Sequence, residues 1–296
     1  MTAEAELAAA YTRARPRLVR VAYAVTGSHA EAEDVVSDCW LRLVAADAHT
    51  PVKDVEAWGT VVVARRALDT LRSARVRRET YVGPWLPEPW VDSPSATDPA
   101  DRVTLDDRIS FALLVVLETL SPPERTAWVL HDLFDMEFTE VARVVGRSPA
   151  AVRQLAARAR KHVAAGTPRL EVDHATHEAV VNAFRRASVG GDLPTLMTML
   201  DPDVTLTSDG GGQVRSARRP VHGADRVARM MVGGIARLLK SDPPPSPVMV
   251  NGAPGLAALN GGTRDFVLSL TLEGNRISRV DLVRAPDKLA LSRETS

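Results

Sequence analysis

Apolar residues recur at helical spacing through the first 165 positions and shift to strand-like alternation only after residue 200. Leu7, Tyr11, Leu18, Val21, Ala22 and Val25 mark a first helical stretch, with an interruption predicted at Pro16. Ser28, with Glu31 three residues on, reads as the N-cap of a helix over His29 to Ala46. That helix turns Val35, Val36, Cys39 and Leu43 inward. Its acidic side carries Glu31, Glu33, Asp34 and Asp38, which periodicity alone makes a solvated face. Pro51 to Glu56 breaks the chain before a helix over Ala57 to Arg78 whose exposed positions are almost all arginine.

Further on, Ile109, Leu113, Val116 and Leu120 place one face of a helix over Asp106 to Leu120 in a core. Ser121, Pro122 and Glu124 supply an N-cap, a first-turn proline and a capping-box acid for a helix reaching about Asp132. Phe138 to Val145 forms a short helix closed by Gly146, and Ser148-Pro149 starts another. In that last helix Val152, Leu155, Ala156, Ala159 and Val163 turn inward.

Beyond a short linker at Gly166 to Asp173 the pattern changes. Helices are predicted over His174 to Val189, Leu193 to Leu200 and Ala224 to Lys240, with strands over Val204 to Ser208 and near Pro247 to Asn251, Leu256 to Asn260 and Asp265 to Leu272. In the last of these Phe266, Leu268, Leu270 and Leu272 point inward while Val267, Ser269 and Thr271 point outward. Glu273-Gly274-Asn275 turns the chain into a closing strand over Arg276 to Arg284. An α+β cone with a curved antiparallel sheet follows.

Net charge is zero, but it is segregated. Ala57 to Arg78 holds six arginines against Asp69, and Arg147 to Lys161 holds five basic residues against no acid. Local patches of this kind are what phosphates feel. The single cysteine, Cys39, excludes an internal disulfide and a cysteine-built zinc site. No long apolar run or signal peptide is read, so a cytoplasmic protein without membrane contact is expected, with no cofactor and no metal. Residues 81–104 carry six glycine and proline breaks and the apolar stretch Tyr81 to Trp90, too apolar for a free spacer.

From these residues Ser121 to Val163 reads as a helix-turn-helix whose last helix enters DNA; a helix-turn-helix inside a helical enzyme is the alternative. Arg153 and Gln154 are the candidates for base edges. Arg147, Arg158, Arg160 and Lys161, with the cap Ser148, lie near phosphate. Trp58 reads first as a core residue at a helix start and second as a platform for an unstacked base.

The segments AEDVVSDCWLRLV and AWGTVVVARRALDTLRSARVRR resemble region 2 of extracytoplasmic-function sigma factors, and Ser121 to Val163 resembles their region 4. The resemblance implies that Glu33, Asp34, Asp38 and Leu41 face RNA polymerase. It places Lys53, Arg65, Arg66, Asp69, Arg72 and Arg75 near the promoter's minus 10 element and the last helix on the minus 35 element. Core RNA polymerase, through its β′ clamp and β flap, and promoter DNA are the partners implied, with the oligomeric state open. HGADRVARMM and NRISRVDLVRAPDKL are similar to a SnoaL-like domain, a relative of ketosteroid isomerases and polyketide cyclases. One sigma subgroup carries such a domain fused at its C-terminus, with WLPEP, DGGGK and NPDKL motifs. Here Trp85, Leu86, Pro87, Glu88 and Pro89 match the first in full. Asp209, Gly210, Gly211 and Gly212 match the second, with Gln213 in place of the lysine, and Asp287-Lys288-Leu289 ends the third.

The fold expected is multidomain: region 2 over 1–80, the linker over 81–104, region 4 over 105–165, and a SnoaL-like domain over 174–290 that sets sigma activity in cis. The competing reading makes the cone an enzyme or a sensor of a small-molecule effector. Asp203, Asp209, His174, His177 and His222 are the available general bases, but no tyrosine follows Trp128 to serve as an oxyanion donor.

Overall fold

A computed structural model describes residues 3–78, 80–92, 109–166, 172–239, 244–260 and 263–289. The predicted helix start at Asp106 and the linker positions from 93 onward to 108 lie outside them. The chain forms two compact units, the first from Met1–Glu79 and Val116–Gly166, the second from Thr80–Val115 and Thr167–Ser296.

The first unit begins with α1 (Ala3–Thr26), which runs through Pro16 without the predicted interruption. Leu18, Val21, Ala22, Ala24 and Val25 are fully buried there, and burial of that whole turn outweighs the single donor that proline removes. Ser28 accepts from the Glu31 amide at 3.2 Å and starts α2 (His29–His49). Its buried positions are Ala32, Val35, Val36, Cys39 and Leu43, as the spacing predicts. Burial pushes the Cys39 thiol up to about 11. Next comes α3 (Val55–Arg78). A Cβ at Gly59 would stand 3.1 Å from Leu18 Cδ1, so the absence of a side chain lets α3 approach α1 closely.

The chain then leaves this unit through the two-residue strand β1 (Val91–Asp92) and returns along α4 (Phe111–Leu117). Glu124 accepts from the Ser121 amide at 3.2 Å at the head of α5 (Pro122–Trp128). A π-helical turn at Val129–Leu133 follows, then α6 (Phe138–Val145), stopped by Gly146 at φ 70°, and α7 (Pro149–Gly166).

An ionic cluster ties the two helical segments together. The Arg125 side chain, 1% exposed, donates to Glu118 Oε1 at 2.5 Å and to the Ala24 carbonyl at 3.1 Å, and Arg78 pairs with the other Glu118 oxygen.

The second unit has α8 (His174–Gly190) and α9 (Leu193–Met199), then β2 (Leu200–Asp209) and β3 (Val221–His222). The predicted helix Ala224 to Lys240 is divided into α10 (Ala224–Met230), a π-helical turn at Met231–Ile235 and α11 (Ala236–Leu239). The irregular turn falls on the Gly233-Gly234 pair, where helix propensity is weakest. Four strands follow: β4 (Ser246–Val250), β5 (Ala253–Asn260), β6 (Thr263–Glu273) and β7 (Arg276–Val283), then the single turn α12 (Pro286–Leu289).

Strand order is β1-β4-β5-β6-β7-β2-β3. The expectation of a purely antiparallel sheet is corrected by the β2–β7 pair, which is parallel. The chain reaches β7 from β2 only through helices and the intervening meander, and that crossover sets the direction. Phe184, Leu196, Leu206, Val227, Phe266, Leu268 and Leu282 fill the core between helices and sheet.

The other face is not open to water. Val267 is 1% exposed and Ser269 5%, which corrects the outward assignment of Val267, Ser269 and Thr271. Leu86, Phe111, Val115 and Leu289 form a second cluster there with Val267 and Val283, so the linker and the C-terminal turn act as a layer of the domain.

Candidate nucleic-acid interface and linker site

On α7 the inward positions are Val152, Ala156, Ala159 and Val163, all buried, with Leu155 half-buried. Arg147, Ser148, Arg153, Gln154, Arg158, Arg160 and Lys161 are all exposed. Ser148 caps the helix by accepting from the Ala151 amide at 3.3 Å. The cations divide into two sets. Arg158 pairs with Glu124 at 2.8 Å and Arg160 with Asp132 at 2.5 Å, so both are held back against α5 and the turn after it. Arg147, Gln154 and Lys161 have no side-chain partner among the described residues, and Arg153 stands 5.3 Å above the Phe138 ring. These are six long donor side chains, and ion pairs are seen for two of them among the described residues.

The basic face of α3 is arranged differently. Arg65 donates to the Arg143 carbonyl at 2.9 Å and Arg75 to the Leu120 carbonyl at 3.0 Å. Both acceptors lie at the ends of helical segments, where carbonyls are left without intrahelical donors and attract cations. Arg66 lies 3.2 Å from Asp38, and Arg72 lies 3.3 Å from Asp69. Lys53 is exposed, and Trp58 is half-buried at the start of α3. Sequence reasoning missed the docking of this helix on the region 4 helices. The carbonyls that receive Arg65 and Arg75 carry no residue-type signature.

On α2, Glu33 pairs with Arg15, and Asp38 with Arg42 at 2.8 Å. Hydrogen bonding from Arg42 holds the Asp38 carboxyl below the usual carboxylate range. Asp34 is exposed. Leu41, 67% exposed, stands on this helix with Val44 also exposed. Two bare aliphatics beside carboxylates suit a protein partner better than solvent, and Val44 is an addition to the sequence reading.

Within the second unit the linker is gripped by one buried carboxylate. Asp209 is fully buried and accepts from Tyr81 Oη, from the Leu86 amide at 2.9 Å, from the Gly211 amide at 3.0 Å and from Lys288 Nζ at 2.6 Å. Lys288 also donates to the Leu86 carbonyl and lies 3.2 Å from the Trp85 ring centre. Burial, reinforced by Asp209, keeps the Tyr81 phenol above its usual range, so it stays a donor. Leu86 through Pro89 are buried. The glycines have separate reasons. A side chain at Gly210 would strike the Val214 carbonyl and Ser216, while Gly211 and Gly212 sit at φ 66° and 71° against Ala285 and Val82.

Gln213 donates to Asp287 at 2.9 Å; the cation that engages Asp209 is Lys288. Two contributors escaped the sequence reading, Tyr81 and Asn251. Asn251 receives the Trp90 amide on Oδ1 at 3.0 Å and donates Nδ2 to the Ile109 carbonyl at 3.2 Å, joining two stretches of backbone distant in sequence.

A cleft of about 490 Å3 opens in the second unit, lined by residues that include Ser208, Met230, Leu282 and Arg284. None of Asp203, Asp209, His174, His177 or His222 is among the residues lining it. His222 bonds Thr205 on the edge strand, and His177 bonds the Leu270 carbonyl.

The family model for sigma-70 region 2 matches residues 10–77, and the one for sigma-70 region 4 matches residues 110–163. The ECF RNA polymerase sigma factor SigJ of Mycobacterium tuberculosis is 48% identical over 224 residues, 75% of this chain and 71% of that protein. The probable ECF RNA polymerase sigma factor SigI of the same organism is 35% identical over 292 residues, 96% of this chain and 94% of that protein. The crystal structure of M. tuberculosis SigJ, an extracytoplasmic function sigma factor, matches at a TM-score of 0.76 and 37% identity, over 96% of this chain and 98% of that one.

Proposed function

Because the chain belongs to the extracytoplasmic-function RNA polymerase sigma factors, we propose that it selects promoters through two separate DNA elements, with its SnoaL-like domain setting that activity in cis. A sigma factor acts in transcription initiation, binding core RNA polymerase and promoter DNA. In this chain α7 reads the minus 35 element and α3 holds the minus 10 element, while the Leu41 face of α2 meets the β′ clamp and α7's own bundle meets the β flap. The observation that carries the reading is the α7 surface, where Arg147, Arg153, Gln154 and Lys161 stand exposed with no acid on the helix. Donors of this kind supply both base readout and counterion release.

On α3 the guanidiniums that would meet DNA are committed to carbonyls of Arg143 and Leu120. Promoter engagement by Arg65 and Arg75 therefore requires that the two helical segments separate. Regulation in cis is supported by the grip of Asp209 and Lys288 on the linker that joins those segments along the chain.

Run-off transcription with purified core polymerase tests this. Arg147→Ala and Lys161→Ala should lower promoter occupancy at every sequence and reduce its salt dependence, whereas Gln154→Ala should change base preference. Asp209→Asn should alter transcript yield without altering promoter choice. A yield identical to that of the unaltered chain would remove the regulatory part.

A further inference from the structure

The cleft of the second unit carries an electrostatic bias that the sigma function leaves unused. Its apolar wall is Met230, Leu238 and Leu282, its cations are Arg215, Arg237 and Arg284, and Ser208 and Ser216 add hydroxyls; no acid is among the described residues lining it. The Asp265 carboxylate, outside the lining, takes Arg284 Nη2 at 3.1 Å, and Arg284 Nη1 donates to the Arg215 carbonyl at 3.0 Å. That leaves Arg284 Nε buried with no acceptor among the described residues, a donor whose desolvation costs free energy until it is met. No ion pair to Arg215 or Arg237 occurs among the described residues, and both side chains are exposed. The volume lies within the roughly 300–1,000 Å3 that small-molecule sites occupy.

We propose that this cleft binds an organic carboxylate with an aliphatic body, its chain against Met230, Leu238 and Leu282 and its carboxylate between Arg284, Arg215 and Arg237. An apolar wall favours an aliphatic chain by burial, and the orphaned guanidinium donor selects an anion over a neutral head. The position also links the site to the linker. Side chains alternate along β2, so Ser208 faces the cleft and Asp209, the next residue, holds Leu86 and Tyr81 on the opposite face of the sheet. Binding at this cleft does not rest on the promoter reading, and titration of the chain alone measures it without polymerase or DNA.

Calorimetric titration of the full chain with decanoate, decanol and acetate tests the assignment. Decanoate should bind, with decanol and acetate each weaker by about tenfold or more, the equivalent of losing one charge-assisted hydrogen bond or the apolar body. Replacing the exposed pair by Arg215→Ala with Arg237→Ala should weaken decanoate by about tenfold while leaving the thermal unfolding midpoint in place. Arg284→Gln should abolish the preference for the acid over the alcohol. Binding of decanol as strong as that of decanoate, an affinity unmoved by the Arg215 and Arg237 changes, or no decanoate binding at all would overturn the proposal.

Discussion

Glu118 receives two guanidiniums in the interior of the helical unit. It lies between Arg78 and Arg125, two guanidiniums removed from water, and Arg125 also satisfies the Ala24 carbonyl. Taking away the shared carboxylate removes the ion pair of the buried Arg125, a loss of about 3–5 kcal/mol. Glu118→Gln should therefore lower the urea midpoint of the full chain by far more than Glu124→Gln, whose pair with Arg158 is on the surface. Gly27 packs against the same cluster at φ 74°, with Glu118 Oε1 and Arg125 Nη2 both within 3 Å of where a Cβ would sit. The motif residues Asp209 and Lys288 were legible in the sequence as a pattern, yet their meeting was not. They are far apart in the chain, and only the sheet brings them together around Leu86.

At the level of elements, the helices of the first unit followed from apolar spacing, helped at some starts by a residue that chemically satisfies an orphan amide. Ser28 and Ser148 do so as N-caps. Where tertiary contacts override local signals the reading failed, as at Pro16 in α1 and along the outer face of β6. Helix α8 offers a pH test. Burial lowers the pKa of His177, which bonds the Leu270 carbonyl. The unfolded chain then binds more protons than the folded one below the ordinary histidine value of about 6.5. Stability present above that value is lost as pH falls through it toward the lowered folded pKa. His177→Gln should flatten this part of the curve of urea midpoint against pH. An identical slope in both proteins would show that His177 does not carry it.

Over the whole molecule, connectivity matters as much as contacts. The chain passes from the helical unit into the second unit at residue 80, back at 116 and out again at 167, so the segment linking the two sigma regions is built into the C-terminal domain. β1 pairs with β4, and Leu86 is sealed by Val250, Val267 and Val283. Deleting 174–296 should leave residues 81–92 without these partners, and hydrogen exchange there should rise to the rate of an unprotected peptide. Retained protection would mean that the helical unit orders the linker by itself. The sequence by itself determined the helices, their caps, the basic and acidic faces and the family, because these rest on local spacing and on motifs a few residues long. The tertiary structure alone decided that the basic helix α3 is spent on carbonyls, that both faces of β6 are covered, and that Asp209, Lys288 and Tyr81 close on the linker. Each of these depends on which backbone and side-chain groups distant in sequence lose their water to one another, and no local pattern records that choice.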